Sequence, residues 1–139
     1  MTKETIDLKF NKLEEVVKKL EGIKKFPKDD FLRHSQIQDA ALYNLIIGIE
    51  AITDIGNFIL AQYHHEVAKT YKDIIIKLGE YKVIPRKFAD ENAAMADLRN
   101  FLIHVYEEVD IQKVYLYIKK APDIFRKFAK YYIDFLDEN

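Results

Sequence analysis

The residue types that could carry out chemistry in this chain are concentrated in one short segment, residues 99–106. Arg99 and Asn100 are followed, after three apolar residues, by His104, and Tyr106 comes two residues later. A histidine exchanges protons near neutral pH, and an arginine offers a planar cationic fork that matches phosphate oxygens. The pair therefore indicates chemistry on a phosphodiester.

Helix geometry limits how these side chains can meet. On a straight helix, Asn100 and His104 share a face, and Tyr106 points within about 20° of Arg99. Arg99 and His104 point about 140° apart, so one straight helix does not bring them together. Either the helix is distorted, or the segment lines a groove where another chain faces it. A purely structural histidine is the alternative that the residues alone leave open.

A metal site is not expected. Adjacent histidines on a helix point about 100° apart, so His64 and His65 do not chelate from one face. Lys69 occupies the position where a zinc-protease motif beginning at His65 needs a second histidine. The chain also has no cysteine. We therefore predict neither a metal nor another cofactor.

The overall charge argues against general attraction to nucleic acid, because 22 basic and 23 acidic residues leave a formal net charge of -1. Contact with RNA would have to come from a local patch. The last third of the chain offers one, and an ordinary solvated helix face is the alternative. Its members are Lys113, Lys119, Lys120, Arg126, Lys127 and Lys130.

The length of 139 residues suits one domain, residues 1–139, with a sizeable core. No apolar run approaches the roughly 18 residues of a membrane span, and the N-terminus shows no signal-peptide pattern. We therefore expect a cytoplasmic protein with no membrane partner.

Hydrophobic periodicity predicts an all-α bundle of about five or six helices. The first helix is predicted over Lys3 to Lys24, and a long second helix over about Phe31 to Tyr63. Shorter helices follow at Tyr71 to Gly79, from Pro85 to about Tyr106, and at Ile111 to Lys119. Pro122 is predicted to open the last helix.

The second helix should be covered on more than one side. Leu45, Ile49 and Ile52 mark one buried stripe, and further isoleucines widen it. Gly48 and Gly56 reduce helix propensity, so we expect another helix to approach them closely. Burial on several sides points to an extra partner, for which a second copy of the chain is the candidate.

The Arg99-x4-His104-x-Tyr106 pattern resembles the signature of the HEPN superfamily, and the whole chain resembles the HepT-like toxins of HEPN–MNT toxin–antitoxin systems. The resemblance spans about residues 5 to 135 in matching order. It includes Glu50 to Asn57, Tyr71-Lys72-Asp73, Leu78-Gly79, Val83-Ile84-Pro85, Met95 to Leu98, Glu108-Val109-Asp110 and Val114-Tyr115.

This resemblance implies a HEPN-like homodimer that acts as a metal-independent ribonuclease. His104 would be the general base or acid, Arg99 would hold the phosphate, and Asn100 would orient His104 or bind the phosphate. Glu50 and Asp54 could tether Arg99 or tune His104, or they could be ordinary structural acids.

Tyr106 resembles the tyrosine that MNT nucleotidyltransferase antitoxins adenylylate in some pairs of this family. It could instead form hydrogen bonds within the site, or simply pack at a helix end. A different class of function also stays open, in which the bundle is a non-catalytic subunit that only docks a nucleotidyltransferase.

Overall fold

The computed structural model describes residues 2–98 and 110–139, and these residues form helices and connecting turns without a strand. The helices are α1 (Lys3–Lys24), α2 (Lys28–Arg33), α3 (Ser35–His64), α4 (Tyr71–Glu80), α5 (Arg86–Asn92) and α6 (Ile111–Glu138). Residues 94–98 are also helical. The prediction of an all-α bundle is confirmed.

Helix α1 follows the predicted bounds. The Thr2 side chain accepts a hydrogen bond from the Thr5 amide and so caps the first turn. The apolar stripe of α1 is buried against α3 and α6. Its buried members are Ile6, Leu13, Val16, Val17 and Leu20.

Helix α3 is the centre of the bundle and contacts α1, α2, α4 and α6. By length and composition α3 could cross a membrane. However, 61% of its most apolar part is buried inside the bundle, as in a core helix.

The two glycines of α3 lie where other helices approach closely, as predicted. A Cβ atom at Gly48 would collide with the Phe125 ring of α6, and one at Gly56 would lie 2.7 Å from a methyl group of Leu78 in α4. The helices that approach these two glycines therefore belong to the same chain. A second copy of the chain as a further partner of α3 stays a prediction.

The predicted long second helix is divided by His34. This residue is extended (φ -113°, ψ 100°) and ends α2 just before α3 begins. The Gln38 side chain donates to the Phe31 and Leu32 carbonyls of α2, at 3.0 and 3.2 Å, so the break leaves these groups satisfied. Phe31 is fully buried and anchors the short helix.

The prediction that Pro122 opens a separate last helix was wrong, because α6 is continuous from Ile111 to Glu138. Proline cannot donate the usual backbone hydrogen bond, and this costs about 3 kcal/mol within a helix. Ile118, Ala121 and Phe125 on either side are all buried in the core. This packing outweighs the lost bond.

The helix predicted to begin at Pro85 is also divided. Pro85 precedes α5, which ends at Asn92, and residue 93 is a turn before residues 94–98 continue as helix. The rest of that prediction, as far as Tyr106, lies outside the described residues.

The close contact at Gly48 gives a prediction about stability. Gly48→Ala should lower the free energy of unfolding by about 1–3 kcal/mol, because the added methyl group overpacks the core against Phe125. Gly22→Ala is the matched control, since nothing lies within 4 Å of its Cβ position. That variant should raise the free energy of unfolding by about 0.5–1 kcal/mol through helix propensity. Urea denaturation would measure both, and equal stabilisation of the two variants would contradict the packing described.

Candidate functional site

The segment predicted to carry the chemistry lies between the two described parts of the chain. Arg99, Asn100, His104 and Tyr106 are outside the described residues. The chain enters the segment after Leu98 and leaves it at Asp110.

Both flanks of this segment are anchored in the bundle. On the entering side, Met95 and Ala96 are buried, and Asp97 forms an ion pair with Lys72 of α4 at 3.9 Å. On the leaving side, the Asp110 side chain accepts a hydrogen bond from the Gln112 amide and caps α6, and Val114 is buried. The core therefore fixes the positions at which the segment begins and ends.

The two predicted supporting acids lie one turn apart on α3, and both are half-buried. Asp54 pairs with Lys9 of α1, with 2.9 Å between Oδ2 and Nζ. This contact gives Asp54 a structural role between α1 and α3. Sequence reasoning missed it because Lys9 is 45 positions away, and no local pattern relates the two residues.

His64, the last residue of α3, takes part in a packed polar cluster. The His64 ring stacks on Tyr81, with ring centroids 4.2 Å apart. The Tyr81 hydroxyl donates to Glu66 at 2.6 Å, and Lys77 lies 3.5 Å from the same carboxylate. These contacts join the end of α3 to α4.

The same contacts explain the titration behaviour of the cluster. The Tyr81 hydrogen bond, followed by the charge of Lys77, lowers the pKa of Glu66. The bond to Glu66 in turn raises the pKa of the Tyr81 hydroxyl. Within residues 2–98 and 110–139, no group of three or more His, Cys, Asp or Glu side chains is placed to hold a metal ion.

The basic residues of α6 divide into two groups. Three are engaged locally: the Lys119 ammonium donates to the Lys24 carbonyl at 2.8 Å, Arg126 pairs with Glu21 at 2.8 Å, and Lys130 pairs with Asp134 at 3.0 Å. The other three, Lys113, Lys120 and Lys127, are exposed and form no ion pair within the described part of the chain. The predicted patch is thus smaller than the six residues suggested.

Comparison with known proteins identifies the family. The model of the family described as "Ribonuclease HepT-like" matches residues 13–132. A tRNA nuclease HepT from Aphanizomenon flos-aquae is 29% identical over 135 residues, which cover 92% of each chain. An mRNA nuclease HepT from Shewanella oneidensis is 25% identical over 124 residues, covering 88% of this chain and 93% of that protein.

Solved structures support the same fold. A tri-AMPylated HEPN toxin of Shewanella oneidensis, in complex with an MNT antitoxin, has a TM-score of 0.84 at 22% identity and covers all of both chains. The match to the family model takes in the flanks, the supporting acids on α3 and the whole of the segment from Arg99 to Tyr106. The chain therefore belongs to the HepT-like ribonuclease family.

Proposed function

We propose that this protein is the toxin of a HEPN–MNT toxin–antitoxin pair and that it cleaves RNA without a metal ion. The observation that carries the proposal is the Arg99, Asn100, His104 and Tyr106 set, which stands within a family match over residues 13–132. The nuclease names of the two HepT relatives support the activity. We assign this function to one domain acting in the cytoplasm.

The proposed reaction is an internal displacement at phosphorus. His104, acting as general base, takes the proton from a ribose 2′-hydroxyl, whose oxygen attacks the adjacent phosphorus. The bond from phosphorus to the 5′-oxygen of the next nucleotide breaks, and that oxygen receives a proton from an imidazolium, with His104 as general acid, or from water. Arg99 stabilises the negative charge that develops on the phosphate oxygens, and Asn100 orients His104 or donates to the phosphate. The products are a 2′,3′-cyclic phosphate and a 5′-hydroxyl.

The active form is proposed to be a homodimer. On a straight helix the Arg99 and His104 side chains point about 140° apart, so one helix does not bring them together. A groove shared by two copies of the chain could bring an arginine and a histidine to the same site. Glu50 is proposed to support Arg99 or His104 from α3, and Asp54 to do so alongside its contact with Lys9.

The proposed antitoxin is a cognate MNT-type nucleotidyltransferase, and Tyr106 is the proposed site at which it adds AMP. Support comes from the similar toxin of Shewanella oneidensis, which is AMPylated and bound to an MNT antitoxin.

The experiment that tests this function measures activity and size on one preparation. The purified protein should cleave RNA in excess EDTA and should leave an all-2′-deoxy oligonucleotide intact, because the nucleophile is the 2′-hydroxyl. Light scattering should give a mass near 33 kDa, twice the chain mass of 16.4 kDa. Cleavage that requires a divalent cation, or an active species that is monomeric at micromolar concentration, would contradict the proposal.

A further inference from the structure

Three lysines of α6 stand in a row on its exposed side. Lys113, Lys120 and Lys127 recur every seven residues, so each lies within about 20° of the next around the helix axis. At 1.5 Å per residue, neighbouring members are about 10.5 Å apart along the axis, and the row is about 21 Å long. We call these three residues the lysine row.

The members of the lysine row are not used to stabilise the bundle. All three are exposed, and within the described residues none forms an ion pair. The Lys120 ammonium lies 5.7 Å from the centre of the Tyr117 ring. Lys119, Arg126 and Lys130, by contrast, are tied to groups of α1 or α6.

The acidic residues nearby leave the row cationic. Between Lys113 and Lys127, α6 has a single carboxylate, Asp123, and this pairs with Arg126 at 3.3 Å. Asp110 precedes the row, and its carboxylate caps the first turn by accepting from the Gln112 amide. Among the described residues, therefore, no carboxylate pairs with the three lysines, in a protein whose net charge is -1.

The position of the row relates it to the proposed site. Its first member lies four positions after residue 109, where the segment that holds Arg99 and His104 ends. The Asp110 side chain caps the first turn of α6, which is the turn that carries Lys113. A strand of RNA that leaves the scissile phosphate along α6 would meet the three ammonium groups in turn.

We propose that the lysine row binds the phosphodiester backbone of RNA beyond the cleaved bond. This inference rests on the proposed ribonuclease function and adds a substrate class to it, namely RNA that extends several nucleotides from the cut. At about 3.4 Å per stacked nucleotide, the row matches roughly six nucleotides. Lysine suits this role because it binds phosphate as a point charge. It is depleted at protein–protein interfaces, which makes a docked protein the weaker interpretation.

The test compares two triple variants that remove equal charge. In the row variant, Lys113, Lys120 and Lys127 are each changed to Gln. The control changes three lysines of α1 that pair with Glu14 or Glu15 on the same helix, namely Lys12, Lys18 and Lys19. Because all six side chains lie on the surface, both variants should fold, and circular dichroism would check this. If the row variant does not fold, the single Lys120→Gln variant takes its place.

The first measurement is binding of a 20-nucleotide 2′-O-methyl RNA, which cannot be cleaved, between 50 and 200 mM salt. Three lost phosphate contacts should reduce the slope of log affinity against log salt by about 2, at roughly 0.7 per contact with a single strand. Wild type and the control should therefore lose roughly 20-fold more affinity over this range than the row variant.

The second measurement separates this inference from the proposed function. The row variant should cleave a dinucleotide at the wild-type rate but show a raised KM for a 20-nucleotide RNA. Equal RNA affinity and salt dependence in the row variant and the control would overturn the inference, even if both enzymes are active. The inference would also be overturned if the row variant binds RNA as wild type does but no longer binds the nucleotidyltransferase. That result would assign the row to a protein partner. Failure of wild type to cleave either substrate would overturn the proposed function instead, while the binding measurement would still decide the role of the row.

Discussion

Co-expression with the cognate nucleotidyltransferase is expected to add AMP to Tyr106 and to abolish RNA cleavage. Tyr106 is seven residues from Arg99, so on a helix the two side chains point within about 20° of each other and lie about 10.5 Å apart along the axis. An adenylyl group on the hydroxyl would bring a phosphodiester anion toward Arg99. It would compete with the substrate phosphate for that cation and would fill the groove that RNA enters.

Intact-mass and peptide measurements would test this expectation. The modified toxin should gain mass in units of AMP, and the peptide that contains Tyr106 should carry it. Tyr106→Phe should accept no AMP there and should retain cleavage, since the proposed mechanism gives the hydroxyl neither proton transfer nor phosphate binding. Full neutralisation of Tyr106→Phe by the antitoxin would mean that binding alone controls the toxin. Modification at Tyr115 or Tyr117 instead would show that the target was misplaced.

Local patterns in the sequence predicted most of the helices. The bounds of α1 and α4 follow from the spacing of apolar residues, and both agree with the structure within a residue. Gly48 and Gly56 correctly indicated close helix packing. These features were predictable because each depends on residues that lie within one or two helical turns.

The errors have a common origin in contacts between distant segments. Pro122 has a strong local preference for a helix start, but buried residues on both sides keep α6 continuous. The sequence around His34 does not predict the end of a helix. The carbonyl groups that the break leaves without helical partners accept hydrogen bonds from the Gln38 side chain. The sequence predicted that α3 is buried on several sides, but it did not show which helices of the chain pack there.

The candidate site was predicted from residue identity rather than geometry. The Arg99-x4-His104-x-Tyr106 pattern selected the residues, and the family match supports the class of reaction. The sequence could not predict the contact of Asp54 with Lys9, because it joins distant parts of the chain. For the same reason it could not predict which lysines of α6 bond to other groups of the bundle. Even so, the seven-residue spacing of the lysine row could have been recognised beforehand.

Loss of the proposed proton-transfer group should have the largest effect on catalysis. His104→Ala is expected to lower the rate of RNA cleavage by about 10²–10⁴-fold, the range typical of removing a general acid or base. Arg99→Ala should lower it by about 10²–10³-fold, because the charge that develops on the phosphate then lacks its fixed partner. Arg99→Lys should recover only part of this loss, since an ammonium group keeps the charge but not the planar fork.

These losses must be separated from unfolding and from weaker RNA binding. Circular dichroism and urea denaturation should give the same fold and stability for His104→Ala as for wild type. The Lys12→Gln variant on α1, which changes an exposed partner of Glu15, should keep full activity and serves as the surface control. His104→Ala should lower kcat far more than it raises KM, because proton transfer acts on the reaction step.

The most direct test of the proposed ribonuclease is the initial rate of RNA cleavage in excess EDTA. This rate is compared between wild type and folded His104→Ala, and the ends of the products are identified. We expect wild type to release 2′,3′-cyclic phosphate ends without a metal ion and His104→Ala to be at least about 100-fold slower. Equal rates in the two proteins, or wild-type cleavage that appears only when a divalent cation is restored, would contradict the assignment.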